Sequence, residues 1–247
     1  MKKPKIARAM RTKVYVKINS EENYVLFSGI EFAEFIRYLP QPMENLMLIM
    51  GGSSLIMAET NLERGLELFE GPDLIGKLSK RDLYNLGNFC FVDYGYVGKT
   101  SDLSEEQIAE LLYLGHMFQP LKSPFFEPLQ NRFAYLAHDD GWGCKLYCRN
   151  LNDFIPVLLG KIMARAQVSV STYPELINNN LLQLATTGLL IDLEEAICVK
   201  EKSVEIKLYT IGDYSNIDHI LNNFEKIKAN ASHVNFLRFK DMEYTIS

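Results

Sequence analysis

His138-Asp139-Asp140 sets an imidazole beside two carboxylates, the residue types that general acid–base catalysis and divalent-metal sites both use. Asp139 and Asp140 also precede Gly141, and Asp before Gly is a turn signal in its own right. A catalytic role for His138 requires other groups to converge on it. Asp93, at the end of an expected strand, and His116, near an expected helix terminus, are the candidates. These five residues would serve a hydrolase-type enzyme in which His138 is base or ligand and Asp139 or Asp140 orients it.

Cys144 and Cys148 are the one close cysteine pair. On a strand, four residues at about 3.3 Å each separate their sulfurs by roughly 13 Å, too far to share a Zn²⁺ whose bonds to sulfur are about 2.3 Å. They read as buried thiols, and no metal site or cofactor is assigned. Gly51-Gly-Ser-Ser54 matches neither the dinucleotide nor the phosphate-loop pattern. Val97-Gly-Lys-Thr100 has a Gly-Lys-Thr triplet, but the position five residues before Gly98, where a phosphate loop needs its leading glycine, is not glycine.

Large amphipathic side chains close to turns offer a different chemistry. Tyr94 and Tyr96 flank a glycine, and Trp142 follows the Asp-Gly turn. Tyrosine and tryptophan are enriched where a second molecule docks. Aromatic loops without a catalytic triplet point to a binding or protein-interaction module using the loops around 94–96 and 139–142, with the hydrolase as the alternative. The expected partner is a protein, including further copies of this chain as a homo-oligomer.

The elements that must position these residues follow from periodicity and punctuation. Lys13–Ile18 and Tyr24–Ser28 alternate as strands around a polar turn, and Phe32, Phe35, Ile36 and Leu39 recur at helical spacing until Pro40. With strands expected at 46–50 and 55–57, residues 13–58 read as a ββαββ unit. Residues 61–87 carry short helical patterns (Leu62, Leu66, Phe69; Leu83, Leu86), and 88–93 reads as a strand. Ser104 and Gln107 have capping-box spacing, with Leu103 and Ile108 as a hydrophobic staple. The core face of that helix is expected at Ile108, Leu111, Leu112 and Met117.

Pro120, Pro124 and Pro128 make 119–129 irregular. Arg132–His138 and Trp142–Arg149 then alternate on either side of Asp139-Asp-Gly141 as a hairpin. A helix to about Arg165 starts from Asn150 or Asn152. A second, with Thr172 and Glu175 at capping-box spacing, ends at Gly188. Leu189–Val199 supplies an extra strand, followed by a strand at 204–209, a helix capped by Ser215, and strands at 234–239 and 242–246.

Interleaved helices and short hairpins without regular βαβ spacing indicate an α+β fold with antiparallel or mixed sheets. The organisation expected is a basic arm, residues 1–12, and a single globular domain, 13–247, which subdivides into 13–87, 88–187 and 188–247. Of 247 residues, 47% are hydrophobic and 23% charged, an ordinary globular composition. No apolar run approaches the roughly 20 residues of a membrane span. The basic start leads into strand-like sequence, not the apolar stretch of a secretory signal, and four cysteines are sparse. A cytoplasmic protein with no membrane association is expected.

Lys2, Lys3, Lys5, Arg8, Arg11 and Lys13 put six positive charges and no acid into thirteen residues, leaving −11 for the rest of a chain whose formal charge is −5. Such an acidic body repels nucleic acid. The arm is therefore expected on acidic protein surface, this chain's own or a partner subunit's.

Overall fold

The computed structural model describes residues 12–49, 66–71, 73–80, 90–95, 100–117, 119–138, 143–166, 175–195, 197–199, 203–212, 214, 216–240 and 243–246. The chain divides into two compact units, one formed by Met1–Pro40 with Leu151–Ser247 and the other by Gln41–Asn150. Both combine helices with antiparallel strands, an α+β architecture. The first unit draws on both parts of the chain because its first strand, Lys13–Asn19, pairs with Leu189–Asp192.

In the first unit, β1 (Lys13–Asn19) and β2 (Tyr24–Ser28) form the expected hairpin. The Asn19 side-chain oxygen accepts the N–H groups of Glu21 and Glu22, both at 3.0 Å, and so shapes the turn. β1 also pairs with β8 (Leu189–Asp192). Beyond it come β10 (Ser203–Thr210), β11 (His233–Lys240) and β12 (Glu243–Ile246), giving the order β12-β11-β10-β8-β1-β2. β9 (Ile197–Val199) pairs with the N-terminal half of β10 while β8 pairs with its C-terminal half.

Alternation along β1 sorts its side chains between two helical layers. Val16, whose partner is Phe27, lies on the face where Phe27 packs against Phe154, ring centroids 5.1 Å apart. Phe154 opens α4 (Phe154–Ala166), which is followed by α5 (Glu175–Thr186). The short helix α1 (Phe32–Tyr38) docks on α4, with Lys161 donating to both oxygens of Glu34 at 2.8 Å. Glu34 also accepts the Glu31 N–H, closing a capping box at the start of α1.

On the opposite face Tyr15, Leu190 and Tyr209 form a core with Ile220, Phe224 and Ile227. These last three come from α6 (Ile217–Asn222) and α7 (Phe224–Ala229). A single helix capped by Ser215 was expected here. Instead Asn216 is the cap, its side chain accepting the His219 N–H at 2.9 Å, and Asn223 breaks the helix in two.

Gly188 ends α5 as expected, at φ +81°, a conformation that costs a side chain dearly. Its carbonyl then accepts the Ile211 N–H at 3.0 Å, so the turn also locks onto the end of β10.

The second unit has strand order β7-β6-β5-β3-β4. Its strands are β3 (Asn45–Ile49), β4 (Leu66–Phe69), β5 (Cys90–Tyr94), β6 (Phe133–His138) and β7 (Gly143–Cys148). Two expectations change. The ββαββ unit over 13–58 is divided, since β1, β2 and α1 belong to one unit and β3 to the other, and its 55–57 strand lies outside the described residues. Leu66 and Phe69 lie on a strand, not a helix, because Leu66 pairs with Ile49 and Phe69 with Leu46 along β3. A short apolar run takes whichever periodicity its neighbour rewards.

Two helices accompany this sheet, α2 (Leu74–Lys80) and α3 (Glu105–Met117). The capping box of α3 is present: Gln107 N–H donates to Ser104 Oγ at 3.2 Å, and Ser104 N–H to Gln107 Oε1 at 2.9 Å. Leu103, Ile108, Leu111 and Leu114 are buried, whereas Leu112 is half-buried. Among the described residues no helix is long and apolar enough to cross a membrane.

Candidate functional site

β5 ends in Asp93-Tyr94, and both residues are buried. Asp93 Oδ1 accepts the backbone N–H groups of Arg132 at 2.8 Å and Phe133 at 2.7 Å. Its Oδ2 accepts Arg132 Nε at 3.0 Å. Burial raises the Asp93 carboxyl above its ordinary range, against the opposing pull of the Phe133 and Arg132 donors. The carboxylate thus ties the end of β5 to the start of β6. Arg132 extends the tie through Nη2 to the Pro42 carbonyl at 3.1 Å.

The antiparallel register decides which candidates can meet. Cys90 lies opposite Leu136 and Val92 opposite Ala134, so Asp93 sits at the Phe133 end of β6. His138 is five residues further on, about 17 Å along an extended strand. Asp93 and His138 are therefore held at opposite ends of β6. His116 is exposed on the last turn of α3. Next to it, the Gly115 carbonyl accepts Cys90 Sγ at 3.4 Å, which brings the end of α3 to the end of the sheet where His138 pairs with Gly143. The two histidines share an end that Asp93 does not reach. Asp139, Asp140, Tyr96 and Trp142 lie outside the described residues.

The same register separates the two aromatic loops. The chain leaves β5 after Tyr94 beside Arg132, while 139–142 joins β6 to β7 at the far end. Tyr94 itself is engaged: its hydroxyl donates to Glu70 Oε1 at 2.9 Å, and its carbonyl accepts the Asn45 side-chain amide at 3.3 Å. Burial first, and Glu70 second, push its pKa far above the ordinary tyrosine value. It anchors the loop that it begins.

Cys144 donates to the Tyr135 hydroxyl at 3.0 Å, and Tyr135 stacks on Phe91 with centroids 4.8 Å apart. Burial pushes the Cys90 and Cys144 thiols up to about 12. They stay protonated near neutral pH and are poor nucleophiles. Cys148 is likewise buried and forms no disulfide, four residues from Cys144 on one face of β7.

Around the Tyr94 end the structure assembles residues that periodicity did not single out. Gly95 N–H donates to the Leu129 carbonyl at 3.0 Å, docking the loop on the proline-rich segment. Asn131, fully buried, stitches that segment: its oxygen accepts the Phe126 N–H at 2.7 Å, and its amide donates to the Pro124 and Phe133 carbonyls at 2.9 and 3.1 Å. Arg149 donates from Nε to the Asn131 carbonyl at 2.7 Å and lays its guanidinium over the half-buried Phe125, 5.1 Å from the ring centroid. Leu121, in the same segment, is 59% exposed. Lys122 beside it bridges Glu106 at 2.6 Å and Glu110 at 3.1 Å on α3. Arginine over an aromatic ring is an attractive contact in its own right, and aromatic and arginine side chains are enriched at protein interfaces. Prolines marked this loop in the sequence, but nothing there joined Phe125 to Arg149.

No protein-family model, curated protein or solved structure matches this chain.

Proposed function

We propose that the protein is a cytoplasmic interaction module whose binding surface is the Tyr94 end of the second unit, where the 94–96 loop joins the segment carrying Leu121 and Phe125. The observation that carries this reading is the Arg149–Phe125 stack, in the segment that also carries exposed Leu121, held on a scaffold by Asp93, Tyr94 and Asn131. Such pre-organisation lowers the entropy lost on docking. Cys90, Cys144 and Cys148 form no disulfide, which supports a reducing compartment. A second copy of the chain is the partner to test first.

Native mass spectrometry of the purified chain across a concentration series provides the test. A dimer or higher assembly is expected for the wild type, and Leu121→Asp and Tyr96→Ala should return it to monomer without changing the Tm. A wild type that stays monomeric throughout, or variants that assemble as the wild type does, would overturn the reading.

The hydrolase alternative draws on the shared end of His116 and His138 and keeps Asp139 and Asp140 as orienting groups, without Asp93. The same spectra address it. A stoichiometric metal retained by the wild type and lost from His138→Ala would favour it over docking.

A further inference from the structure

Arg132, Lys122 and Arg149 all belong to the Tyr94 end of the second unit, but they are not equally engaged. Arg132 bonds Asp93 through Nε at 3.0 Å and the Pro42 carbonyl through Nη2 at 3.1 Å. Its Nη1 reaches the Gln41 carbonyl and side-chain oxygen, both at 3.4 Å. Lys122 is held between Glu106 and Glu110. Arg149 is exposed, and its guanidinium hydrogen-bonds through Nε alone; Nη1 and Nη2 have no hydrogen-bond or ion-pair partner among the described residues.

That open fork is nevertheless oriented. Nε donates to the Asn131 carbonyl at 2.7 Å, and the guanidinium lies over the Phe125 ring, 5.1 Å from its centroid. Asn131 is itself fixed by the three hydrogen bonds of its buried side chain. A guanidinium held in this way presents paired N–H donors that match the two oxygens of a carboxylate. Because its orientation is already set, less entropy is lost when a carboxylate arrives.

The complementary group lies on the same segment. Glu127 follows Phe125 by two residues, which keeps their Cα atoms within about 7 Å. Its carbonyl accepts the Gln130 N–H at 3.2 Å, which fixes the backbone there. Its side chain is exposed, and the carboxylate has no hydrogen-bond or ion-pair partner among the described residues. An oriented arginine fork and an open carboxylate thus share one surface without bonding each other. A two-fold axis brings such a surface against itself, so that each residue meets the other's counterpart and the contact forms twice.

We infer that Arg149 and Glu127 are the self-recognition pair of a two-fold dimer of this chain, the Arg149 fork of each copy receiving the Glu127 carboxylate of the other. This pairing rests on the docking surface proposed above, whose occupant is then a second copy. Charge complementarity selects that occupant, since both halves of the pair stand on the one surface.

Charge exchange tests it, with the dimerisation Kd of the full chain read by sedimentation equilibrium. Glu127→Arg breaks no side-chain hydrogen bond among the described residues and sets arginine against arginine at both contacts. It should weaken dimerisation about tenfold or more at unchanged Tm. Arg149→Glu should weaken it likewise. Mixing the two single variants should yield a mixed dimer, and the double variant Glu127→Arg with Arg149→Glu should dimerise again. Glu22→Arg, an equal charge change in the first unit, should leave the Kd unchanged. If Glu127→Arg dimerises as the wild type does, or if the mixture and the double variant both stay monomeric, the pair is overturned while the docking surface stands. Where Arg149→Glu does not fold, the Glu127→Arg result decides alone. A wild type that is monomeric throughout overturns both.

Discussion

Asp93 illustrates how one residue type supports opposite readings. A carboxylate at a strand end beside aromatic loops suggests catalysis, yet its oxygens receive two backbone N–H groups and the Arg132 guanidinium. Removing it leaves those buried donors unpaired. Asp93→Ala should destabilise the second unit by roughly 3–5 kcal/mol, toward the lower figure because Arg132 keeps some access to water. Asp93→Asn, which retains one acceptor oxygen, should fall between Asp93→Ala and the wild type. Urea unfolding checks both through a lowered midpoint at unchanged slope. A midpoint in Asp93→Ala equal to the wild type would remove the structural role assigned to this side chain. His138 differs from Asp93 in lying at the other end of β6.

Helix contacts set the next scale. Gly160 lies within α4 where the ring of Tyr38 from α1 crosses it. A Cβ added at Gly160 would fall 2.7 Å from the Tyr38 Cβ and closer still to the root of its ring. That end of a tyrosine cannot swing away without moving α1. Overpacking of this kind costs about 1–3 kcal/mol, against about 1 kcal/mol gained from the better helix propensity of alanine. Gly160→Ala should therefore lower the Tm, and Tyr38→Ala in the same chain should recover much of the loss. Calorimetry of the four proteins in the double-mutant cycle measures the coupling. Strictly additive effects would show that the two helices do not meet in this way. The periodicity of α4 placed its apolar stripe, but the glycine within it became meaningful only once α1 lay across it.

Across the whole molecule, charges far apart in sequence converge within the first unit. Lys228 of α7 bonds Asp192 at 2.7 Å, Glu225 at 2.9 Å and Glu195 at 3.0 Å, and Glu225 also pairs with Lys13. The Tyr209 hydroxyl donates to Glu195. That hydrogen bond, aided by Lys228, holds Glu195 below the ordinary glutamate value of 4.5. Lys13 and then Lys228 do the same for Glu225. Burial alone would lower the Lys228 ammonium, but its three carboxylate partners outweigh burial and hold it above the ordinary lysine value of 10.5. The carboxylates contribute stability above 4.5 that is lost as pH falls through their depressed values. Lysine's contribution is full below 10.5 and is lost as pH rises through its elevated value. Thermal unfolding should therefore hold a plateau between these limits, and Lys228→Met should flatten both flanks. Salt should weaken the effect, since Glu225 is largely exposed. Circular dichroism melts across pH check this, and identical profiles for both proteins would count against the network.

What the sequence determined by itself was local: the β1–β2 hairpin, the Ser104–Gln107 capping box, the Cys144–Cys148 spacing on a strand and the glycine stop after α5 all arise from neighbours a few residues apart. The α+β class followed from their order. Tertiary structure alone decided that β1 pairs with β8, which divides the chain into two units, and that 66–69 is a strand against β3. It also held Asp93 and His138 at opposite ends of β6, because β5 and β6 run antiparallel. Contacts such as Arg149 on Phe125 or Lys228 on Asp192 depend on register between distant segments, and register is set by which apolar faces are buried together.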